Sequence, residues 1–107
     1  MRGSNRKEAA ACESLSELRG AIDSIDRDVV SLLGERSGYV MRAAEFKASA
    51  EEVAVAERVR EVLQTRRSWA AEEGLSPEFV EALFQKIVEY FISTEMRHWK
   101  GLASAES

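Results

Sequence analysis

Residues 18–47 read LRGAIDSIDRDVVSLLGERSGYVMRAAEFK, and the spacing of their apolar members decides the fold. Leu18, Ile22, Ile25, Val29 and Leu32 follow one another at alternating intervals of four and three, the period of one face of a long helix. Arg36 falls where the next leucine of that series belongs, and Tyr39, Ala43 and Phe46 then resume it. A guanidinium on a buried seam loses its hydration and persists only where an anion meets it. No acidic residue shares the seam within one or two turns. The anion therefore belongs to another helix or to a ligand, and the ligand reading is the one that organises the rest of the sequence.

Outward from this stretch the chain is poor in breakers. Its 107 residues contain one proline and six glycines, so its elements are long, and its Ala, Glu, Arg and Leu favour helix. The first helix is expected from Ser14 or Ser16 to about Lys47 or Ala48, roughly 47 Å at 1.5 Å per residue. Residues 48–54 read as a connection. A second helix follows from about Val55 to Glu73, with Val55, Val59, Val62, Leu63 and Trp69 on its apolar side and Gly74 just past its end. Ser76-Pro77-Glu78 combines a capping hydroxyl, a proline at the first helical position and an acid near the positive end of the helix dipole. The third helix carries Val80, Phe84, Ile87, Phe91 and Trp99 on one stripe, and no alternating strand pattern is present. Trp69, Trp99 and the methionines read as core or helix-end packing. Residues 1–13 and 103–107 are expected to be disordered tails around a helical domain at 14–102.

A compact monomer of this length cannot bury the whole seam of so long a helix against two shorter ones. The expected architecture is therefore all-α, a three-helix chain intertwined with its own copy in a homodimer.

Composition removes several function classes. A formal charge of −4, from 15 basic and 19 acidic residues, argues against binding nucleic acid through bulk electrostatics while leaving enough cations for one local anion site. The single Cys12 cannot form an intrachain disulfide and points to a reducing cytoplasm. One His and one Cys do not make a zinc or thiolate centre, so neither metal nor cofactor is expected. No apolar run suggests a membrane span. The sequence also lacks a Ser/His/Asp set, a phosphate-cradling glycine loop and a glycosidase-like carboxylate pair. An enzyme built from what remains works by positioning and charge.

Four cations bear on such a site: Arg19, Arg36, Lys47 and Arg58. Arg19 and Lys47 share a rotational edge of the first helix but stand about 42 Å apart along it. One small ligand cannot touch both in one chain. Across an antiparallel pair of long helices, Arg19 of one copy comes alongside Arg36 and Lys47 of the other. Taken singly, Arg19, Lys47 and Arg58 are ordinary solvated helix residues; only their combination with Arg36 suits a compact dicarboxylate, held bidentately by arginine and by the point charge of lysine. Glu95 continues the stripe of Ile87 and Phe91, unless that stripe ends one turn early.

The motifs Leu18-Arg19, Ala21-Ile22-Asp23, Ile25-Asp26, Leu33-Gly34-Glu35-Arg36, Phe46-Lys47-Ala48-Ser49, Glu57-Arg58-Val59, Gly74-Leu75, Phe79-Val80-Glu81 and Leu83-Phe84, with Trp69, resemble the all-α chorismate mutases. Within that family the chain looks most like the isochorismate pyruvate lyase branch, over about Leu15 to Trp99. The resemblance implies two active sites per dimer. In each, Arg19 of the neighbour and Arg36 bind the substrate carboxylates, Lys47 hydrogen-bonds the ether oxygen of the enolpyruvyl side chain, and Arg58 completes the cationic wall. Phe91 and Val59 line the site. Many mutases of the family place glutamate where Val59 stands, and the lyases have valine there. The lyases carry glutamine where this chain has Glu95, while some mutases carry glutamate. A carboxyl at that place donates to the ether oxygen only when protonated, as a buried acid can be. The leading expectation is chorismate mutase; the alternatives are isochorismate pyruvate lyase, a mutase of 4-amino-4-deoxychorismate, and a non-catalytic helical dimer that serves as an interaction module.

Overall fold

A computed structural model of the chain describes residues 6–106. The described residues are helical apart from short connections, with no strand among them, as the spacing requires. The elements are α1 (Leu15–Ala44), α2 (Ala50–Val53), α3 (Ala56–Glu72) and α4 (Pro77–Glu106), with one 3-10 turn at Ala9–Ala11 ahead of α1. They divide into two compact units, one through Gly38 and one from Tyr39 onward.

In the first unit α1 starts at a serine cap: the Ser14 hydroxyl accepts from the Glu17 backbone N–H at 3.1 Å, and the Glu17 carboxylate accepts from the Glu13 N–H at 3.0 Å. The segment before it was expected to be a disordered tail. Residues 1–5 lie outside the described residues, but Arg6 and Lys7 are tied to α1 by ion pairs with Asp28 at 2.7 Å and Glu17 at 3.2 Å. The seam itself is open in the single chain. Ile22 is 55% exposed, and Ile25, Val29 and Leu32 are nearly as open.

The second unit holds the core, made of Ala44, Val53, Val62, Ala70, Val80, Val88 and Phe91. Here α3 ends where the glycine signal placed it. Gly74 has φ +74°, and the Leu75 N–H reaches the Ala70 carbonyl at 2.8 Å while the Gly74 N–H reaches Ala71 at 3.2 Å. Those bonds satisfy the last carbonyls of α3 and turn the chain sharply, and a left-handed φ is unstrained only without a Cβ. Two residues later the Ser76 hydroxyl accepts from the Phe79 N–H at 3.2 Å, so α4 begins at Pro77. This tight reversal lays α3 and α4 side by side. Between them Arg67 of α3 pairs with Glu81 at 2.6 Å and Glu78 at 3.5 Å. The Glu81 hydrogen bond holds the Arg67 guanidinium above its ordinary pKa. Glu78 lies below its ordinary 4.5 because of a backbone hydrogen bond, the Ser76 hydroxyl and then Arg67.

Three boundaries differ from the sequence reading. First, α1 stops at Ala44 instead of at Lys47 or Ala48. Successive turn bonds from Glu45, Phe46 and Lys47 to the carbonyls three residues back tighten the chain out of the helix there. Second, the connection expected at 48–54 contains the one-turn α2, which buries Val53. Third, α4 continues to Glu106, through most of the tail expected at 103–107; Ala103 and Ala105 are good helix formers with no breaker before the terminus.

Candidate functional site: a lysine held against a buried glutamate

Lys47 leaves α1 just past its end, and three contacts define its place. Its Nζ donates to Glu95 Oε2 at 2.6 Å, its backbone carbonyl accepts from the Trp99 indole N–H at 2.9 Å, and its backbone N–H closes a turn on Ala44 at 3.2 Å. The next residue is fixed as well: the Ala48 N–H donates to the Glu52 carboxylate of α2. Both α4 partners belong to one face, because Glu95 and Trp99 are four residues apart and project from successive turns.

Glu95 is only 5% exposed, on the stripe that continues Val88 and Phe91. Phe91, also buried, lies one turn before it and meets Tyr90 edge-on with ring centroids 5.1 Å apart. A carboxyl in such apolar surroundings is costly unless something replaces its water. The Lys47 ammonium does so, and it is itself only about a quarter exposed. Among the described residues Glu95 is the charged side chain set into the buried stripe of α4. Chemically the ion pair offers a cationic donor held by a buried carboxylate within a single hydrogen-bond length. Such a pair can meet an anionic or ether oxygen.

The other sequence-derived residues are placed less closely. Arg58, near the start of α3, is exposed and pairs with Glu61 of the same helix. The expected cationic wall is thus engaged with a surface carboxylate in the isolated chain; the i,i+3 spacing makes that contact local. Val59 is half-buried. Arg19 and Arg36 belong to the first unit, where Arg19 is exposed and Arg36 is half-buried.

Sequence reasoning assigned Trp99 to packing and missed its bond to Lys47. The available signal was chemical: an indole that is largely buried seeks a partner for its N–H, and Trp99 stands one turn beyond the glutamate already singled out. Glu52 was missed for another reason, since nothing in the sequence announces the single-turn α2 that presents it. Trp69, read from the sequence as core or helix-end packing, stands near the end of α3, 51% exposed, with the Arg66 guanidinium 4.5 Å from its ring. Among the described residues no cluster of His, Cys, Asp and Glu could hold a metal ion, and no helix is long and apolar enough to cross a membrane.

The described residues thus form an all-helical protein in which a cation and a carboxyl meet beside a buried stripe. The chain matches the model of the chorismate mutase type II family over residues 18–96, and it belongs to that family. It is 43% identical over 94 residues to an isochorismate pyruvate lyase of Pseudomonas aeruginosa, covering 88% of this chain and 93% of that protein. It is 31% identical over 88 residues to a bifunctional chorismate mutase/prephenate dehydratase of Buchnera aphidicola, covering 81% of this chain and 23% of that much longer protein. The resemblance drawn from the motifs therefore holds, and so does the all-helical fold it implied. The family acts on a small molecule.

Proposed function

We propose that the protein is a chorismate mutase, rearranging chorismate to prephenate without a covalent intermediate. The observation that carries this reading is the Lys47–Glu95 pair, 2.6 Å apart on a buried stripe. In the rearrangement the ether C–O bond breaks as a C–C bond forms within the same molecule, and the departing oxygen gathers partial negative charge. Lys47, held in place by Glu95, donates to that oxygen and stabilises the transition state more than the substrate because the charge develops only there. The two groups face each other in the free chain, so substrate entry replaces their mutual contact with the ether oxygen. Arg36, Arg58 and Arg19 of a second copy hold the carboxylates and select the reactive conformer. The exposed seam of α1 supports the homodimer this requires: a run of half-exposed Ile, Val and Leu at heptad spacing is the surface a matching helix covers.

A second reading is isochorismate pyruvate lyase. Val59 stands where many mutases place glutamate, and the Pseudomonas relative at 43% identity bears that name. Here the same ether bond breaks while a ring hydrogen passes to the enolpyruvyl methylene, giving salicylate and pyruvate. The cationic donor serves the same oxygen in both reactions. Incubation with chorismate, isochorismate and 4-amino-4-deoxychorismate in separate reactions decides the matter. Prephenate formed fastest supports the mutase, salicylate with equimolar pyruvate supports the lyase, and turnover of none of the three overturns both.

A further inference from the structure

The indole of Trp99 does more than fill space at the end of a helix. Lys47 lies outside any helix, in the stretch between the end of α1 at Ala44 and the start of α2 at Ala50. A lysine side chain there has four rotatable bonds below a backbone whose N–H side is held by the turn bond to Ala44 and by Glu52 at the next residue but whose carbonyl is left to another partner, and rate depends on how closely a donor is held to the reacting oxygen. The Trp99 N–H, 2.9 Å from the Lys47 carbonyl, is the one hydrogen bond described between α4 and the backbone of this connection. One turn earlier on the same helix, Glu95 receives the ammonium of the same residue at 2.6 Å. Lys47 is thus gripped at both ends from one face of α4.

We propose that Trp99 is a positioning residue for Lys47: its indole N–H fixes the Lys47 carbonyl so that the ammonium is delivered beside Glu95, where the substrate oxygen arrives. The inference rests on the catalytic role given to Lys47 above. Trp99 itself touches no reacting atom. Because the contact is made by the N–H and not by the ring, the role separates from packing. The two contacts differ in kind: the Lys47 ammonium, which donates to Glu95, turns to the substrate when it enters, whereas the Trp99 bond to the Lys47 carbonyl persists through the reaction.

The test compares the parent with Trp99→Phe and with a protein carrying benzothienylalanine at position 99, which keeps the bicyclic shape and replaces the N–H by sulfur. The second variant serves if phenylalanine leaves the helix end underpacked. The expected result is a fall in kcat of roughly three- to tenfold with KM little changed, since the arginines that bind the carboxylates are untouched. In a Lys47→Ala background the same replacement produces no further loss, because a group that acts through Lys47 has nothing left to position. Backbone hydrogen exchange at residues 45–49 speeds up several-fold while exchange across α3 is unaltered. Unaltered exchange at 45–49 overturns the proposal, as does an unchanged kcat, or an equal loss of turnover with and without Lys47. If Lys47→Ala turns over too slowly to read, the exchange measurement decides. A Lys47→Ala protein with full activity removes instead the role assigned to Lys47, an outcome distinct from failure of the Trp99 anchor.

Discussion

Two stripes of similar composition run along α1 and α4, and the chain treats them in opposite ways. On α4, Val80, Val88 and Phe91 are buried, and the charged residue interrupting them, Glu95, is buried with them and paired to Lys47. On α1, Ile22, Ile25, Val29 and Leu32 stand half in solvent, and the interrupting residue is Arg36. The contrast teaches that periodicity identifies residues that gain by leaving water, yet does not identify what removes them from it. For α4 the partner is close in sequence, because the Gly74 turn folds α3 directly onto it. For α1 the partner proposed above is a helix of like length in a second copy of this chain.

The largest expected effect strikes the α4 side of the comparison. Lys47→Ala removes the cationic donor and leaves the Glu95 carboxyl buried opposite nothing, so kcat should fall about 10²- to 10³-fold, the range typical of losing one preorganised electrostatic donor. Steady-state rates of prephenate formation measure this, and a loss of less than threefold would contradict the proposed mechanism. On the α1 side, Ile25→Asp places a carboxylate on the open seam of each copy. The substitution costs little in an isolated chain but several kcal/mol wherever two copies bury it. Sedimentation velocity should show a lower mass than the parent at equal concentration, and Tm should lose its dependence on protein concentration. An unchanged mass with unchanged activity would leave the seam without a role.

The next prediction sharpens the chemistry of the buried carboxyl. Glu95→Gln keeps the shape of the side chain but removes the charge that holds the Lys47 ammonium, so kcat should fall about tenfold. An unchanged kcat would remove Glu95 from the mechanism. The smallest effect concerns the surface clamp between α3 and α4. Glu78 lies below its ordinary pKa of 4.5, so its stabilising interactions are complete above that value and fade as pH falls through the lower folded value. The Tm difference between parent and Glu78→Gln should accordingly be small at neutral pH and shrink further below pH 4.5. A difference that grew on acidification would have the wrong sign for this linkage.

Much of the scaffold was legible in the residues because its signals are local. Ser76-Pro77 and Gly74 fix the reversal between α3 and α4 through backbone preferences that act within a few residues, and the heptad spacing gives α1 its helical identity. Glu95 was legible as well, since its position on the stripe of Phe91 follows from the helical period alone. The exit of α1 at Ala44 was not. Glu45, Phe46 and Lys47 are competent helix formers, and the chain leaves the helix there through tight turn bonds while distant α4 groups take hold of Lys47. Arg58 is the reverse case, since its pairing with Glu61 is a local i,i+3 contact within α3.

The sequence by itself determined that the chain is helical, where α3 gives way to α4, which faces seek burial, and which two charged residues interrupt them. It also carried enough of the family pattern to place the chain among the chorismate mutases. Only the tertiary structure decided that the carboxyl on α4 meets the lysine after α1, and that a tryptophan one turn away grips the same lysine by its carbonyl. The reason is range. Capping and periodicity act over a few residues along the chain, whereas Lys47 lies 48 positions from Glu95 and 52 from Trp99, and only packing brings such groups within hydrogen-bond distance.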